Sequence, residues 1–265
     1  KKLKIMLHHE ISGNGKKPLV LLHGFMENTT IWNEMEAHLS KDFTLIKIDL
    51  PGHGKSKVYQ EIHTVELMAE KVKEVIDALK LEKINLLGHS LGGYVSLAFA
   101  EKFPEILESM TLFFSTTVAD DEEKKQIRRR SIAVIDENFE TFIKTSIPNL
   151  FSNNEKDILE GKIELAKNIA KSTNKEGVKA AQLGMAERPD RTEILENLDA
   201  KILIIAGKYD NAVKTENLLK IIPEKTNIKT YVLDCGHNGH WEKPTICAEI
   251  INTELLHNLP KHFLL

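Results

Sequence analysis

The stretch Ile84-Asn85-Leu86-Leu87-Gly88-His89-Ser90-Leu91-Gly92-Gly93 decides the fold of this chain. Its first four residues form a short apolar run that is typical of a buried strand, and Leu91 to Phe103 has the pattern of a helix. The G-x-S-x-G spacing between them indicates a sharp turn that exposes the Ser90 hydroxyl. A strand and a helix can pass this closely only where side chains are missing, which explains the flanking glycines. The sequence predicts a strand, a strained turn and a helix, with Ser90 at the turn.

Apolar runs and amphipathic patterns alternate on both sides of this turn. The expected strands are Leu3–Leu7, His8–Ile11, Pro18–Leu22, Thr44–Ile48, Ile84–Leu87, Met110–Phe114, Lys201–Ala206 and Lys229–Leu233. The expected core helices are Thr30–Leu39, Thr64–Leu79, Leu91–Phe103, Lys214–Ile222 and Thr245–Leu256. This alternation predicts right-handed crossovers and an α/β fold with a largely parallel sheet.

The alternation stops between Ser115 and about Leu195. These roughly 80 residues are rich in Lys, Glu and Asn and carry helical patterns such as Ile158 to Ala170. We expect a helical lid inserted after the sixth strand. It divides the chain into a first core part (1–114), the lid (115–195) and a second core part (196–265).

Composition narrows the possible functions. The chain has 265 residues, a net charge of −3 and two cysteines. This charge provides no global field for nucleic acid or an anionic membrane, and no apolar run approaches the roughly 20 residues of a membrane span. Lys1 to Ile5 lacks the apolar core of a signal peptide, so a cytoplasmic location with reduced Cys235 and Cys247 is expected. No metal-ligand spacing is present, and a small-molecule substrate is the expected partner; oligomeric state stays open.

A serine hydroxyl needs a base that a third group orients. The strand Lys201–Ala206 leads to Asp210, and the strand Lys229–Leu233 leads to His237. Ser90, Asp210 and His237 therefore follow strands that end at the same edge of one sheet, which predicts a catalytic triad. His240 is the competing histidine and is read as a supporting or rim residue. Asp234 is the rival acid, but it lies too close to His237 along the chain.

An acyl-transfer site also needs donors for an oxyanion. The backbone N–H of Leu91, which follows the nucleophile, and that of Phe25 are the expected donors. Gly24 is expected to permit an unusual backbone conformation there, and His23 to brace the loop. His89 and His240 complete the supporting residues.

Five segments resemble the landmarks of the α/β-hydrolase superfamily. They are His23-Gly24-Phe25, Asp49 to Ser56, Gly88 to Gly93, Gly207 to Asp210, and Gly236-His237 with Glu242-Lys243-Pro244. The resemblance implies an eight-stranded sheet with a helical cap, no cofactor, and Ser90, Asp210 and His237 as the triad. It also implies that Asp49 and the loop through Ser56 brace the site.

The match of the sequence to any one subfamily is less specific. The ending from Gly236 to Glu242 is similar to that of menaquinone-pathway lyases of this fold, but those usually have a tyrosine before the nucleophile, where this chain has His89. They also usually have an arginine after the glycine pair, where this chain has Tyr94. Haloalkane dehalogenases use an aspartate nucleophile, which Ser90 argues against.

Candidate pocket residues are Met26, Phe113, Phe139 and Met185, with Met26 favoured because it flanks the expected oxyanion donor. The run Arg128-Arg129-Arg130 is interpreted as a solvated helix face, with a carboxylate-binding patch as the alternative. The expected function is hydrolysis of a small ester, thioester or lactone through an acyl-serine. A cofactor-free lyase and a non-catalytic receptor are the alternatives.

Overall fold

The computed structural model describes residues 6–39 and 41–256, and their strands form one sheet. Its seven strands are β1 His9–Ser12, β2 Lys17–Leu22, β3 Phe43–Ile48, β4 Ile84–His89, β5 Leu107–Phe113, β6 Lys201–Gly207 and β7 Ile228–Leu233. They lie in the order β1-β3-β2-β4-β5-β6-β7. Strand β1 pairs with β3 in the antiparallel sense, and the other neighbours are parallel. The predicted α/β fold with a mostly parallel sheet is confirmed.

The described residues contain seven strands, where eight were expected. The expected first strand, Leu3–Leu7, falls mostly outside the described residues, and Met6 and Leu7 are not in a strand. The expected strand His8–Ile11 corresponds to β1, and its Ile11 pairs with Ile46 of β3.

Both faces of the sheet are buried under helices, as a parallel sheet requires. The α-helices outside the segment between β5 and β6 are α1 Asn33–Leu39, α2 Val65–Ala78, α3 Leu91–Lys102, α8 Thr215–Lys220, α9 Gly239–Glu242 and α10 Pro244–Leu256. Alternate residues of β2 face opposite sides of the sheet: Val20 joins the core under α2 and α3, and Leu21 joins the core under α1 and α10. No helix in residues 6–39 or 41–256 is long and apolar enough to cross a membrane.

The chain between β5 and β6 is helical and contains no strand. Its α-helices are α4 Glu122–Ser146, α5 Lys156–Ser172, α6 Lys175–Glu187 and α7 Glu193–Asn197. Helix α4 is broken at Asn138, which has φ −154° and ψ 81°. The Asn138 side chain accepts a hydrogen bond from the Thr141 N–H at 2.9 Å, so it caps the second half of the helix.

The turn between β4 and α3 has the expected strain. Ser90 has φ 49° and ψ −111°, a conformation that residues with a side chain rarely adopt. A Cβ on Gly88 would lie 2.1 Å from the carbonyl oxygen of Gly92, and one on Gly92 would lie 2.4 Å from that of Leu22. The two glycines are therefore required by close backbone approach.

Candidate active site

Asp210 and His237 meet at the carboxyl edge of the sheet. His237 Nδ1 lies 2.7 Å from Asp210 Oδ2, and both side chains are buried. The other carboxylate oxygen of Asp210 accepts the backbone N–H groups of Ala212 and Val213 at 2.7 and 2.8 Å. These bonds fix the carboxylate, which in turn orients the imidazole through Nδ1 and leaves Nε2 available.

The loop around His237 is held by a second carboxylate. Glu242 accepts the N–H groups of Gly236, Asn238 and Ser152 at 2.9, 3.2 and 3.1 Å. The His237 N–H donates to the carbonyl of Leu150 at 2.8 Å. From the sequence, Glu242 was named only as part of a family landmark. The three backbone N–H groups that it accepts explain why an acidic residue lies there.

Ser90 and His237 line one cavity of about 360 Å³. The His237 ring bonds through Nδ1 to Asp210, and no hydrogen bond joins its Nε2 to the Ser90 hydroxyl in this structure. The Ser90 carbonyl is fixed by the Ser115 hydroxyl at 2.8 Å and by the Gly93 N–H at 2.9 Å. Catalytic hydrogen bonds are often long before substrate binds, so the shared cavity carries more weight than the missing bond.

The loop after β2 lies beside Ser90. Phe25 lines the cavity, and within the described chain neither its N–H nor that of Leu91 donates to an acceptor. Two free backbone donors near Ser90 are what an oxyanion site requires. His23 braces this loop: its Nε2 accepts the Leu50 N–H at 2.9 Å and its Nδ1 donates to the Gly24 carbonyl at 2.7 Å. Burial lowers the pKa of His23, which keeps the ring neutral as this pattern demands.

The expected reason for Gly24 was wrong. The positive φ in this loop belongs to Met26, at 58°. At Gly24 a Cβ would lie 2.7 Å from both Glu27 Oε2 and His89 Nδ1. Glycine is needed here for close approach of two side chains and not for a special backbone conformation.

Those two side chains form a buried pair that the sequence did not reveal. His89 Nδ1 donates to Glu27 Oε2 at 2.8 Å, and His89 Nε2 donates to the carbonyl of His237 at 3.0 Å. Glu27 Oε2 also accepts the Gly24 N–H at 2.5 Å. The pair thus links the loop after β2, the turn at Ser90 and the loop at His237. No sequence signal joins Glu27 to a histidine 62 positions away.

Both nitrogens of His89 face acceptors, so the ring needs a proton on each. Burial alone would raise the pKa of Glu27, but the charge and hydrogen bond of His89 outweigh it and lower this pKa to about 2. Burial alone would lower the pKa of His89, but the charge and hydrogen bond of Glu27 raise it above its ordinary value. The geometry and the charges agree on an imidazolium and a carboxylate.

His240 lies behind this pair and is fully buried, away from the cavity wall. Its ring centre is 4.7 Å from that of His89, and its Nε2 is 3.7 Å from Glu27 Oε1. Neither ring nitrogen has a hydrogen-bond partner among the described residues. Burial, with His89 adding to it, lowers the pKa of His240 well below its ordinary value, so the ring is neutral.

Glu27, His89 and His240 are also the residues that could hold a metal ion. Their donor atoms lie within 4.8 Å of one another. The 2.8 Å separation of His89 Nδ1 and Glu27 Oε2 is that of a charge-assisted hydrogen bond. This arrangement favours a proton between the two groups.

Sheet loops and inserted helices contribute to the cavity wall in nearly equal parts. Of the predicted pocket residues, Met26 and Met185 line it, whereas Phe113 and Phe139 do not. Phe113 is buried with its ring 5.9 Å from that of His89. Phe142, beyond the break at Asn138, lies in the wall where Phe139 was expected. The full wall is Phe25, Met26, Glu27, His89, Ser90, Tyr94, Lys124, Ile127, Arg128, Ser131, Phe142, Ser146, Leu150, Gln182, Met185, Asn211, Ala212 and His237.

The structure also shows where Asp49, Asp234 and the run Arg128 to Arg130 lie. Asp49 braces the site, since its carboxylate accepts the N–H groups of Thr29 and Lys55 at 2.8 and 2.9 Å. Asp234 is exposed and pairs with Lys208, away from His237. Arg129 and Arg130 lie on the exposed face of α4, but Arg128 lines the cavity.

Comparison with known proteins agrees with this geometry. Residues 17–244 match the family described as the α/β hydrolase fold. The chain belongs to the α/β-hydrolase family. The resemblance drawn from the five segments is therefore confirmed.

Three related proteins show what this α/β hydrolase is similar to. An esterase from Thermogutta terrifontis, solved with malate bound, is 33% identical, with a TM-score of 0.88 over 94% of this chain and 93% of that one. A putative 2-succinyl-6-hydroxy-2,4-cyclohexadiene-1-carboxylate synthase of Bacillus subtilis is 28% identical over 90% of each chain. An uncharacterized Mycobacterium tuberculosis protein is 35% identical over 111 residues, which are 42% of this chain and 32% of that protein. The match therefore spans about a third of the mycobacterial relative.

Proposed function

We propose that this α/β hydrolase cleaves a small ester, thioester or lactone through an acyl-Ser90 intermediate. The observation that carries the proposal is the buried His237 Nδ1–Asp210 Oδ2 bond of 2.7 Å, which leaves Nε2 for the cavity that Ser90 lines. The 33% identity with an esterase over nearly the whole chain supports the same chemistry.

In the proposed reaction, Ser90 Oγ attacks the substrate carbonyl carbon while His237 Nε2 takes the hydroxyl proton. The tetrahedral intermediate collapses when the bond to the leaving group breaks, and His237 returns the proton to that group. Water then attacks the acyl-Ser90 carbonyl while His237 takes its proton, and the bond to Ser90 Oγ breaks as His237 returns that proton to the serine, which releases the acid. Asp210 stabilises the imidazolium in both halves.

The oxyanion of each intermediate would accept the N–H groups of Phe25 and Leu91. Their lack of an acceptor among the described residues supports this role. Leu91 also begins helix α3, whose positive dipole end favours negative charge at this place. The helical segment 115–195 would act as a lid, because α4 and α6 supply part of the cavity wall.

A fluorophosphonate probe together with p-nitrophenyl acetate tests the mechanism. Wild-type protein should be labelled at Ser90 and hydrolyse the ester, and Ser90→Ala should lose both properties. Ser146→Ala is the matched control, because Ser146 lines the same cavity and its hydroxyl donates to the carbonyl of Phe142. Turnover by Ser90→Ala equal to that of wild type contradicts the acyl-enzyme.

The relationship to the Bacillus synthase favours one second candidate, a cofactor-free lyase that uses the same residues to remove a proton. That function predicts turnover of a lyase substrate without an acyl-enzyme. A receptor function would instead predict ligand binding with negligible turnover. Mass spectrometry of the protein during ester turnover separates these possibilities, since only the hydrolase gains the mass of the acyl group.

A further inference from the structure

The cavity wall contains two positively charged side chains from helix α4. Lys124 and Arg128, one helical turn apart on α4, line the same cavity as Ser90. Glu27 is the one acidic residue of this wall in the described chain, and its charge is matched by His89. The wall therefore carries an excess of positive charge.

Arg128 is held in a fixed orientation. Its Nε donates to Asp120 Oδ2, and its Nη1 donates to Gln182 Oε1 at 2.9 Å. Gln182 is itself fixed, since its Nε2 donates to Ser131 Oγ at 3.1 Å. Among the described residues Arg128 Nη2 has no acceptor. An arginine fixed from two sides can offer its remaining N–H groups to a ligand at low entropic cost.

Asp120 does not cancel the charge of this wall. It accepts from Arg188 Nη2 at 2.9 Å as well as from Arg128, and Lys124 Nζ lies 3.7 Å away, so three cations share one carboxylate. Burial alone would raise the pKa of Asp120, but the bonds from Arg188 and Arg128 lower it to about 2. Arg188 lies over the ring of Tyr94 at 3.9 Å and is not part of the wall. Lys124 and Arg128 are thus the lysine and arginine that line the cavity, whereas the positive charge of His89 is paired with Glu27.

We propose that Lys124 and Arg128 bind a carboxylate of the substrate, so that the enzyme prefers hemi-esters of dicarboxylic acids to neutral esters. The inference rests on the proposed function, because it concerns the substrate that Ser90 cleaves. It assigns a carboxylate to the end of this substrate that is distant from the ester bond. A guanidinium and an ammonium match the two oxygens of a carboxylate. The rest of the cavity wall is largely apolar, with Met26, Phe142 and Met185 among its residues, and suits a short hydrocarbon chain.

The test uses monomethyl esters of succinic, glutaric and adipic acid. Each is compared with the methyl ester amide of the same acid, in which an uncharged amide replaces the carboxylate. Wild-type kcat/KM should favour the acid for at least one chain length. Arg128→Met should lower this preference about tenfold to a hundredfold, the range expected for a charge-assisted hydrogen bond, and Lys124→Met should lower it less.

Arg129→Met is the matched control. It removes the same charge from the same helix, but Arg129 is exposed and lies outside the cavity wall. The preference should persist in this variant. A wild-type preference near one for all three acids, or equal losses in Arg128→Met and Arg129→Met, overturns the proposal.

Arg128→Met also removes a partner of buried Asp120, so stability is measured by thermal unfolding alongside the kinetics. Arg128→Lys keeps the charge and should recover part of the preference, although it loses the second donor. Because Lys124 is 43% exposed at its side chain, Lys124→Met keeps the test valid even if Arg128→Met unfolds.

Binding to Ser90→Ala protein separates this proposal from the proposed function. Calorimetry with monomethyl glutarate and its ester amide reports on the anion site without turnover. Tighter binding of the acid by Ser90→Ala, together with wild-type protein that hydrolyses none of the esters, supports the anion site and contradicts the hydrolase. Ester turnover with fluorophosphonate labelling but equal binding of both compounds leaves the hydrolase and refutes the anion site.

Discussion

The variant Glu27→Gln tests whether the buried pair of Glu27 and His89 is ionised and whether it stabilises the folded protein. Glutamine keeps the size of the side chain and can still accept the Gly24 N–H, but it removes the carboxylate that His89 contacts at 2.8 Å. The side chains of Glu27 and His89 are only 8% and 1% exposed, so solvent screens the pair little. Removing one partner of a buried pair costs about 3–5 kcal/mol of unfolding free energy.

The pKa of Glu27 gives a similar magnitude. Its lowering from 4.5 to about 2 corresponds to about 3 kcal/mol, at roughly 1.4 kcal/mol per pH unit. Because this pKa is depressed, its stabilisation is present above pH 4.5 and is lost as the pH falls toward 2. The pKa of His89 is raised, so its stabilisation is complete below pH 6.5 and is lost as the pH rises through the folded value. The pair should stabilise the protein most between pH 4.5 and 6.5.

The assay is urea unfolding of wild type, Glu27→Gln and the control Glu160→Gln across this pH range and up to pH 9. Glu160 is exposed on α5, so its variant should stay within about 0.5 kcal/mol of wild type. Glu27→Gln should lose about 3 kcal/mol near pH 6, and less as the pH rises and His89 loses its proton. A loss that is constant from pH 4.5 to 9 means that the pair is not ionised. A loss no larger than that of Glu160→Gln refutes the reasoning altogether.

Four further predictions concern the active site and the stability of the fold. Asp210→Asn should reduce kcat by about 10⁴-fold with little change in KM, because the amide favours the wrong tautomer of His237; steady-state ester kinetics measures this. Gly92→Ala should destabilise the protein by about 2 kcal/mol or more in urea unfolding, because its Cβ would lie 2.4 Å from the Leu22 oxygen. Gly161→Ala, where a Cβ meets nothing within 4 Å, should instead stabilise α5 by about 1 kcal/mol. Burial raises the pKa of Cys235 and raises that of Cys247 to about 12, so both thiols should resist alkylation at pH 8 until the protein unfolds, as mass spectrometry would report.

The sequence predicted what depends on local pattern. Ser90, Asp210 and His237 were found because each follows a strand, and parallel strands bring their carboxyl ends to one edge. The structure places Asp210 against His237 and places Ser90 on the same cavity. Their catalytic roles remain predictions that the probe and the variants test.

What the sequence could not predict depends on distant partners. Glu27 was not singled out from the sequence, because nothing local shows that His89 lies against it. Arg128 was interpreted as exposed, like Arg129 and Arg130. Which face of a helix points inward depends on the elements that pack against it, and a local pattern does not show these elements. Phe139 was assigned to the pocket as a large apolar residue, and its residue type does not show whether it faces the cavity or the core.

The bond between Glu27 and His89 also constrains how the chain can evolve. A glutamate that is stable only beside a protonated ring becomes a buried, uncompensated charge if His89 is replaced by tyrosine or asparagine. Conversely, a neutral residue at position 27 deprives His89 of the acceptor for its second proton. We therefore expect positions 27 and 89 to covary among related sequences, with glutamate and histidine gained or lost together. Gly24 should accompany them, since a Cβ there would lie 2.7 Å from both partners.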